Sequence, residues 1–199
     1  DPLALALPDA VVPAPRAELG LPADRKLIGF VGRLSRGKGV GRFLDMARDA
    51  VLQAPGRYHF AVIGDGDGLP SHREWVRGNG LEEDVTFLGE RRDIHRCYGT
   101  LDCLAFCSEP GVEGMPGVAL EACAHGLPIL AVRTAPLEEI RDYYNRISFM
   151  DARGAADQFE SAMSLPAADP AALRAEFSIE AMRDRTVALY TGIAGRFAA

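Results

Sequence analysis

Short unbroken apolar runs, each followed by a stretch of helical spacing, constrain this chain more than any other feature. Residues 27–31 (LIGFV) offer no polar side chain to water, so they read as a strand buried on both faces. Val40, Phe43, Leu44, Ala47, Ala50, Val51 and Ala54 then fall on one helical stripe, which Pro55-Gly56 ends. Residues 58–63 (YHFAVI) read as a second strand, stopping at Gly64-Asp65-Gly66. The same alternation predicts helices over 71–78, 92–98, 118–125 and 137–143, and strands over 85–88, 101–107, 128–132 and 147–150. Strands separated by helices at this interval predict an α/β fold, a doubly wound, Rossmann-like parallel sheet with right-handed crossovers. After Gly154 the pattern turns helical, over 155–165, 170–177 and 179–197. Residues 1–26 are rich in Ala, Pro and Leu without a period and read as an extended lead-in with one short turn of helix at 16–21. The expected division is a lead-in over 1–24 and one domain over 25–199, its last helix included.

At 199 residues the chain can bury a single substantial core. Its 22 basic against 28 acidic residues leave a net charge of −6, which argues against a nucleic-acid partner. Any phosphate must then be held by a few placed cations, because no basic surface field exists. No apolar run approaches membrane-spanning length, so membrane association has no support in these residues. Cys97, Cys103, Cys107 and Cys123 follow no zinc-ligand spacing and include no C-x-x-C pair. Buried structural thiols in a reducing cytoplasm are the expectation, with Cys103 and Cys107 on one face of their strand.

Doubly wound sheets bind ligands at the carboxyl ends of their strands. Four suggestive loops fall there: residues 32–39, 64–68, 89–92 and 108–117. In the last, EGMPGVALE sets Glu113 and Glu121 on either side of a turn that opens a helix. Such a turn aims unpaired N–H groups and the positive end of the helix at one point, where an anion fits. Carboxylates on both sides of a phosphate can take hydroxyls, which describes a nucleotide sugar. A strand-to-helix loop with two solvated glutamates explains the segment equally well when it is taken alone. The first loop, GRLSRGKG, is neither a Walker loop nor a G-x-G-x-x-G fingerprint. Arg33 can fork two N–H groups onto a phosphate and Lys38 adds a mobile point charge. Isolated, it reads as a solvated basic loop; beside EGMPGVALE, two cations facing a helix N-terminus bracket a diphosphate.

FVGRLSRGKGV (30–40), VIGDGDG (62–68), VTFLG (85–89) and EGMPGVALEACAHGLPILA (113–131), in this order and spacing, resemble the C-terminal donor domain of retaining GT-B glycosyltransferases of family 4, the glycosyl transferases group 1. The resemblance covers roughly residues 25–195. It implies that Glu113 sits by the donor sugar and supports positive charge at the anomeric carbon, and that Glu121 binds the ribose. It implies that Arg33 and Lys38 neutralise the departing diphosphate, with Gly32, Met115, Gly117 and Val118 close to the same phosphates. Gly64, Asp65 and the turn from Gly89 to Arg91 line the phosphate and base ends of the slot. No metal or cofactor is expected beyond the nucleoside diphosphate sugar itself. An N-terminal domain would supply the acceptor, and the donor domain alone would transfer sugar negligibly. The closing segment 177–193 resembles the family's terminal helix, which crosses back onto that domain. Two departures stand out. Pro116 occupies a position where many members have Gly, removing one N–H donor. Ala135-Pro136 replaces the usual Gly-Gly ahead of Glu138-Glu139, at the sugar end of the site.

Two other readings remain open: a noncatalytic nucleotide- or sugar-phosphate-binding module, and a different GT-B enzyme such as a sugar-nucleotide epimerase. The joint presence of Arg33, Lys38, Glu113 and Glu121 favours the transferase. Asp65-Gly66-Asp67 reads as a turn rather than a metal site. His59 and His95 read as structural, and His72 and His125 show no obvious carboxylate or nucleophile partner nearby in sequence. Ser35, Ser71 and Ser108 lack a nucleophile elbow, and Trp75 reads as packing.

Overall fold

Strand β1 (Lys26–Val31) lies at the centre of a sheet and pairs in parallel with β2 (Tyr58–Ile63) on one side and β4 (Cys103–Phe106) on the other. β3 (Val85–Gly89), β5 (Ile129–Ala131) and β6 (Ile147–Phe149) extend it to a parallel six-stranded sheet of order β3-β2-β1-β4-β5-β6. These relations come from a computed structural model that describes residues 12–169 and 171–197. The crossovers are α1 (Val40–Gln53), α2 (Leu69–Gly78), α3 (Ile94–Tyr98), α4 (Gly117–Ala124) and α5 (Ala135–Tyr143). After β6 come α6 (Ala155–Met163), α7 (Ala171–Phe177) and α8 (Ile179–Phe197). The expected doubly wound α/β fold is the observed one.

Alternation along the strands sends neighbouring residues to opposite faces, and both faces are covered. Ile28, Phe30, Phe60 and Val62 pack with Phe43 and Leu44 of α1 and Phe159 of α6. Leu27, Ile63, Leu104 and Phe106 pack with Leu120 of α4, Ile140 of α5 and Leu173 of α7. Cys103 and Cys107 share the first of these faces, while Cys97 and Cys123 lie in the second. All four thiols are free and buried, and burial pushes Cys103 and Cys107 up to about 12.

Several boundaries differ from the expected ones for identifiable reasons. α2 begins at Leu69 and α5 at Ala135, because Pro70 and Pro136 sit in first turns, where a missing N–H costs nothing. The expected starts, at residues 71 and 137, fall one position after each proline. The strand expected over 101–107 shortens to Cys103–Phe106, since Leu101 N–H is bonded back to Tyr98 in the preceding turn. α3 starts at Ile94 rather than at residue 92, and the Arg91 guanidinium grips Asp93 with two bonds of 2.9 and 2.8 Å just ahead of it. Within the expected lead-in, a 3-10 turn at Arg16–Leu19 packs onto the domain: Ala14, Leu19 and Leu21 are buried, and Thr100 Oγ1 donates to Ala14 O at 2.8 Å. The first eleven residues of that lead-in, and Pro170 at the start of the expected 170–177 helix, lie outside the described residues. No helix among the described residues is long and apolar enough to cross a membrane.

Candidate functional site

The loops that leave the carboxyl ends of β1, β2 and β3 are laced together through their backbones. Gly32 N–H donates to Ile63 O at 3.0 Å, Leu34 N–H to Asp65 O at 2.9 Å, and Gly64 N–H to Gly89 O at 2.8 Å. Gly64 has φ +139°, and a Cβ there would lie 1.9 Å from Gly32 O, so only glycine permits the approach. A cavity of about 590 Å³ opens above the three loops, lined among others by Gly32, Arg33, Gly64, Asp65, Arg91 and Ile94. The Arg33 side chain is exposed and makes no hydrogen bond or ion pair among the described residues. Arg91, by contrast, is committed to Asp93. Asp65 Oδ1 accepts the Gly66 N–H at 2.7 Å, in keeping with a turn.

The fourth loop joins on the other side of β1. The strand order reverses between β1 and β4, and this is where ligands bind in doubly wound sheets. Glu109 N–H donates to Gly37 O at 2.8 Å, tying the β4–α4 loop to the β1–α1 loop. Across this junction the Lys38 ammonium pairs with Glu113 Oε1, and the buried Ser108 hydroxyl donates to the same oxygen at 3.1 Å. Both charged side chains are about three-quarters covered, at 29% and 24% exposure, which strengthens the pair relative to one in open water. Four residues beyond Glu113, α4 begins with no side-chain cap. Its Gly117 and Val118 N–H groups find no acceptor among the described residues, whereas Ala119 and Leu120 bond to Pro116 O. Such a terminus favours an anion. Met115, on the turn before it, is 43% exposed.

Glu121 lies one turn further on, where Tyr98 Oη donates to its Oε2 at 2.8 Å. His125 stacks on the Tyr98 ring at 5.4 Å and on His95 at 5.5 Å. The structure thus brings Lys38 to Glu113, and Arg33 to Gly64 and Asp65 around one cavity, but Lys38, Glu113 and Glu121 do not line that cavity. Sequence reading missed Tyr98 and left His125 without a partner, and no sequence signal linked them to Glu121, because the contacts arise only from the stacking of α3 on α4. Among the described residues no group of three or more His, Cys, Asp or Glu is placed to hold a metal ion.

Burial, reinforced by His95, lowers His125 from 6.5 to about 4, and burial also lowers His59 and His72. Between pH 4 and 6.5 the unfolded chain therefore binds more protons at these imidazoles than the folded one, so stability rises with pH across that window. Melting temperature is expected to fall as pH is lowered from 6.5 toward 4, and less steeply in His125→Gln. A His125→Gln melting profile parallel to wild type would contradict the assignment.

The fold, with this junction at its switch point, is the Rossmann-like half of the GT-B glycosyltransferases. Residues 25–165 match the sequence model of the glycosyl transferases group 1, and the chain belongs to that family. It is 36% identical over 147 residues to 2-deoxystreptamine N-acetyl-D-glucosaminyltransferase of Streptomyces fradiae, a match covering 67% of this chain and 34% of that protein. The crystal structure of Anabaena Alr3699/HepE in complex with UDP superposes with a TM-score of 0.60 and 25% identity, over 74% of this chain and 40% of the other. The C-terminal domain of a glycosyl transferase group 1 family protein (LpcC) from Francisella tularensis does so with a TM-score of 0.58 and 25% identity, over 70% of this chain and 76% of that one. The chain spans about a third of the length of the curated relatives it matches.

Proposed function

We propose that this chain is the C-terminal donor domain of a family 4 glycosyltransferase, binding a nucleoside diphosphate sugar and supporting retaining transfer of a hexosyl-type group. The observation that carries the reading is the Lys38–Glu113 pair beside the uncapped start of α4 at the switch point of the sheet. In this reading Arg33, Lys38 and the N–H groups of Gly117 and Val118 hold the diphosphate, with Gly32 and Met115 close to it. Glu113 faces the sugar and Glu121 the ribose. Gly64, Asp65 and Gly89 border the nucleotide end, where the 590 Å³ cavity has room for a base. The UDP held by the Anabaena relative supports a nucleotide ligand of this kind.

Breaking the anomeric bond leaves its electron pair on the diphosphate, and preorganised cations and amides stabilise that charge. The cations take the place of a metal. Acceptor binding falls to a separate N-terminal domain, the chain alone turns over negligibly, and the exposed Met182, Val187 and Leu189 of α8 suit contact with such a domain. Free buried cysteines fit a reducing cytoplasm. Calorimetric titration with UDP, GDP and ADP should find one preferred diphosphate, bound about tenfold or more weakly by Lys38→Ala. Equal weak affinity for all three, untouched by the substitution, would refute the donor role and leave a noncatalytic module.

A further inference from the structure

Glu121 is held on one side only. Its Oε2 takes the Tyr98 hydrogen at 2.8 Å, while Oε1 accepts no hydrogen bond among the described residues. The alternative acceptor for that hydrogen, Val118 O, lies at 3.5 Å, too far to compete with a carboxylate. The phenol is itself fixed. Tyr98 is 1% exposed, and its ring lies under His125 at 27° to the imidazole plane. His125 in turn lies against His95 at 26°, and His95 Nδ1 and His125 Nε2 share a hydrogen bond of 3.3 Å. His95 and Tyr98 come from α3 and His125 closes α4, so the stack locks the two helices that carry donor and acceptor.

We infer that Tyr98 is a positioning residue: it fixes the Glu121 carboxylate through Oε2 and leaves Oε1 for a ribose hydroxyl, so that the ribose preference of the site depends on a phenol that never touches the ligand. The inference rests on the donor-binding reading above. Burial and the nearby carboxylate raise Tyr98 well above the usual phenol range, so it stays a donor at any working pH. A carboxylate free to rotate loses orientation entropy on meeting a hydroxyl; one already pinned at one oxygen does not. Tyr98 should therefore act on the discrimination between ribose and deoxyribose rather than on phosphate binding.

The test is calorimetric binding of UDP, GDP and ADP, and of their 2′-deoxy and 3′-deoxy counterparts, to the full chain. Wild type is expected to prefer the ribonucleotide about tenfold, and Tyr98→Phe to lose about fivefold of that preference while binding the deoxynucleotide within about twofold of wild type. Glu121→Gln should abolish the preference, and adding Tyr98→Phe to it should cause no further loss. His125→Leu, at a half-buried position, should erode the preference in the same direction and serves if Tyr98→Phe does not melt cooperatively. Equal weakening of ribo- and deoxynucleotides, an additive double variant, or a wild type with no ribose preference would each overturn the inference while leaving donor binding intact. A wild type that binds none of the diphosphates would overturn the donor reading and this inference with it.

Discussion

If the proposed donor role holds, replacing Lys38 with Ala is expected to lower kcat of the complete transferase by about two to three orders of magnitude, the range found when one preorganised donor is removed from a developing anion. Two effects act together. In that reading the leaving diphosphate loses a cation, and Glu113, now held only by Ser108, meets the phosphates without its counter-ion. The second effect can be separated from the first. Lys38→Ala with Glu113→Gln removes the uncompensated carboxylate, so affinity for the nucleoside diphosphate should recover part of the way. Turnover should not recover, because the charge that develops on the leaving group still lacks its partner. Lys38→Arg keeps the charge on a larger, planar head and should fall between the two. Steady-state rates with affinities measured in parallel decide the matter. A drop in kcat of less than about fivefold for Lys38→Ala would mean that the ammonium serves only to hold Glu113.

The parts of this arrangement that sequence made legible are those that depend on local pattern. Strands buried on both faces leave runs such as LIGFV and YHFAVI, and the glycine-rich loops between them mark the carboxyl rim. Those loops do meet, through backbone bonds at Gly32, Leu34, Gly64 and Glu109. The expected helix starts at 71 and 137 fall late, since Pro70 and Pro136 lie within first turns rather than ahead of them. Lys38 and Glu113 stand 75 positions apart, yet each lay in a loop already assigned to the rim, so their meeting follows from topology. Tyr98 and Glu121 are 23 positions apart on separate helices, and His95 and His125 are 30 apart. No spacing rule links such pairs, because their contact depends on how two helices settle against one face of the sheet. Arg33 illustrates the converse: its place at the loop rim was legible, and it lines the cavity there, but no side-chain hydrogen bond or ion pair ties it to the Lys38–Glu113 junction among the described residues.

Gly39→Ala is expected to destabilise the domain by about 2–5 kcal/mol, a large fraction of the stability of a typical domain. Gly39 has φ +79°, which costs a side-chain-bearing residue roughly 1–2 kcal/mol. A Cβ there would also stand 2.0 Å from Cys107 O and 2.5 Å from its carbonyl carbon, backbone atoms at the end of β4 that cannot swing aside. Relief requires the β1–α1 and β4–α4 loops to part, at a typical overpacking cost of about 1–3 kcal/mol. Gly20 supplies the control: its φ is +66° but nothing lies within 4 Å of where a Cβ would stand, so Gly20→Ala should cost only the conformational part, about 1 kcal/mol. Urea unfolding of the two variants isolates the contact from the dihedral angle. Separation of these loops carries Lys38 away from Glu113, so Gly39→Ala should lose nucleotide affinity even under conditions where it remains folded, whereas Gly20→Ala should keep it. Equal unfolding midpoints for the two variants would show that the loops are not pressed together at Cys107, and the junction that organises the site would then lack its structural cause.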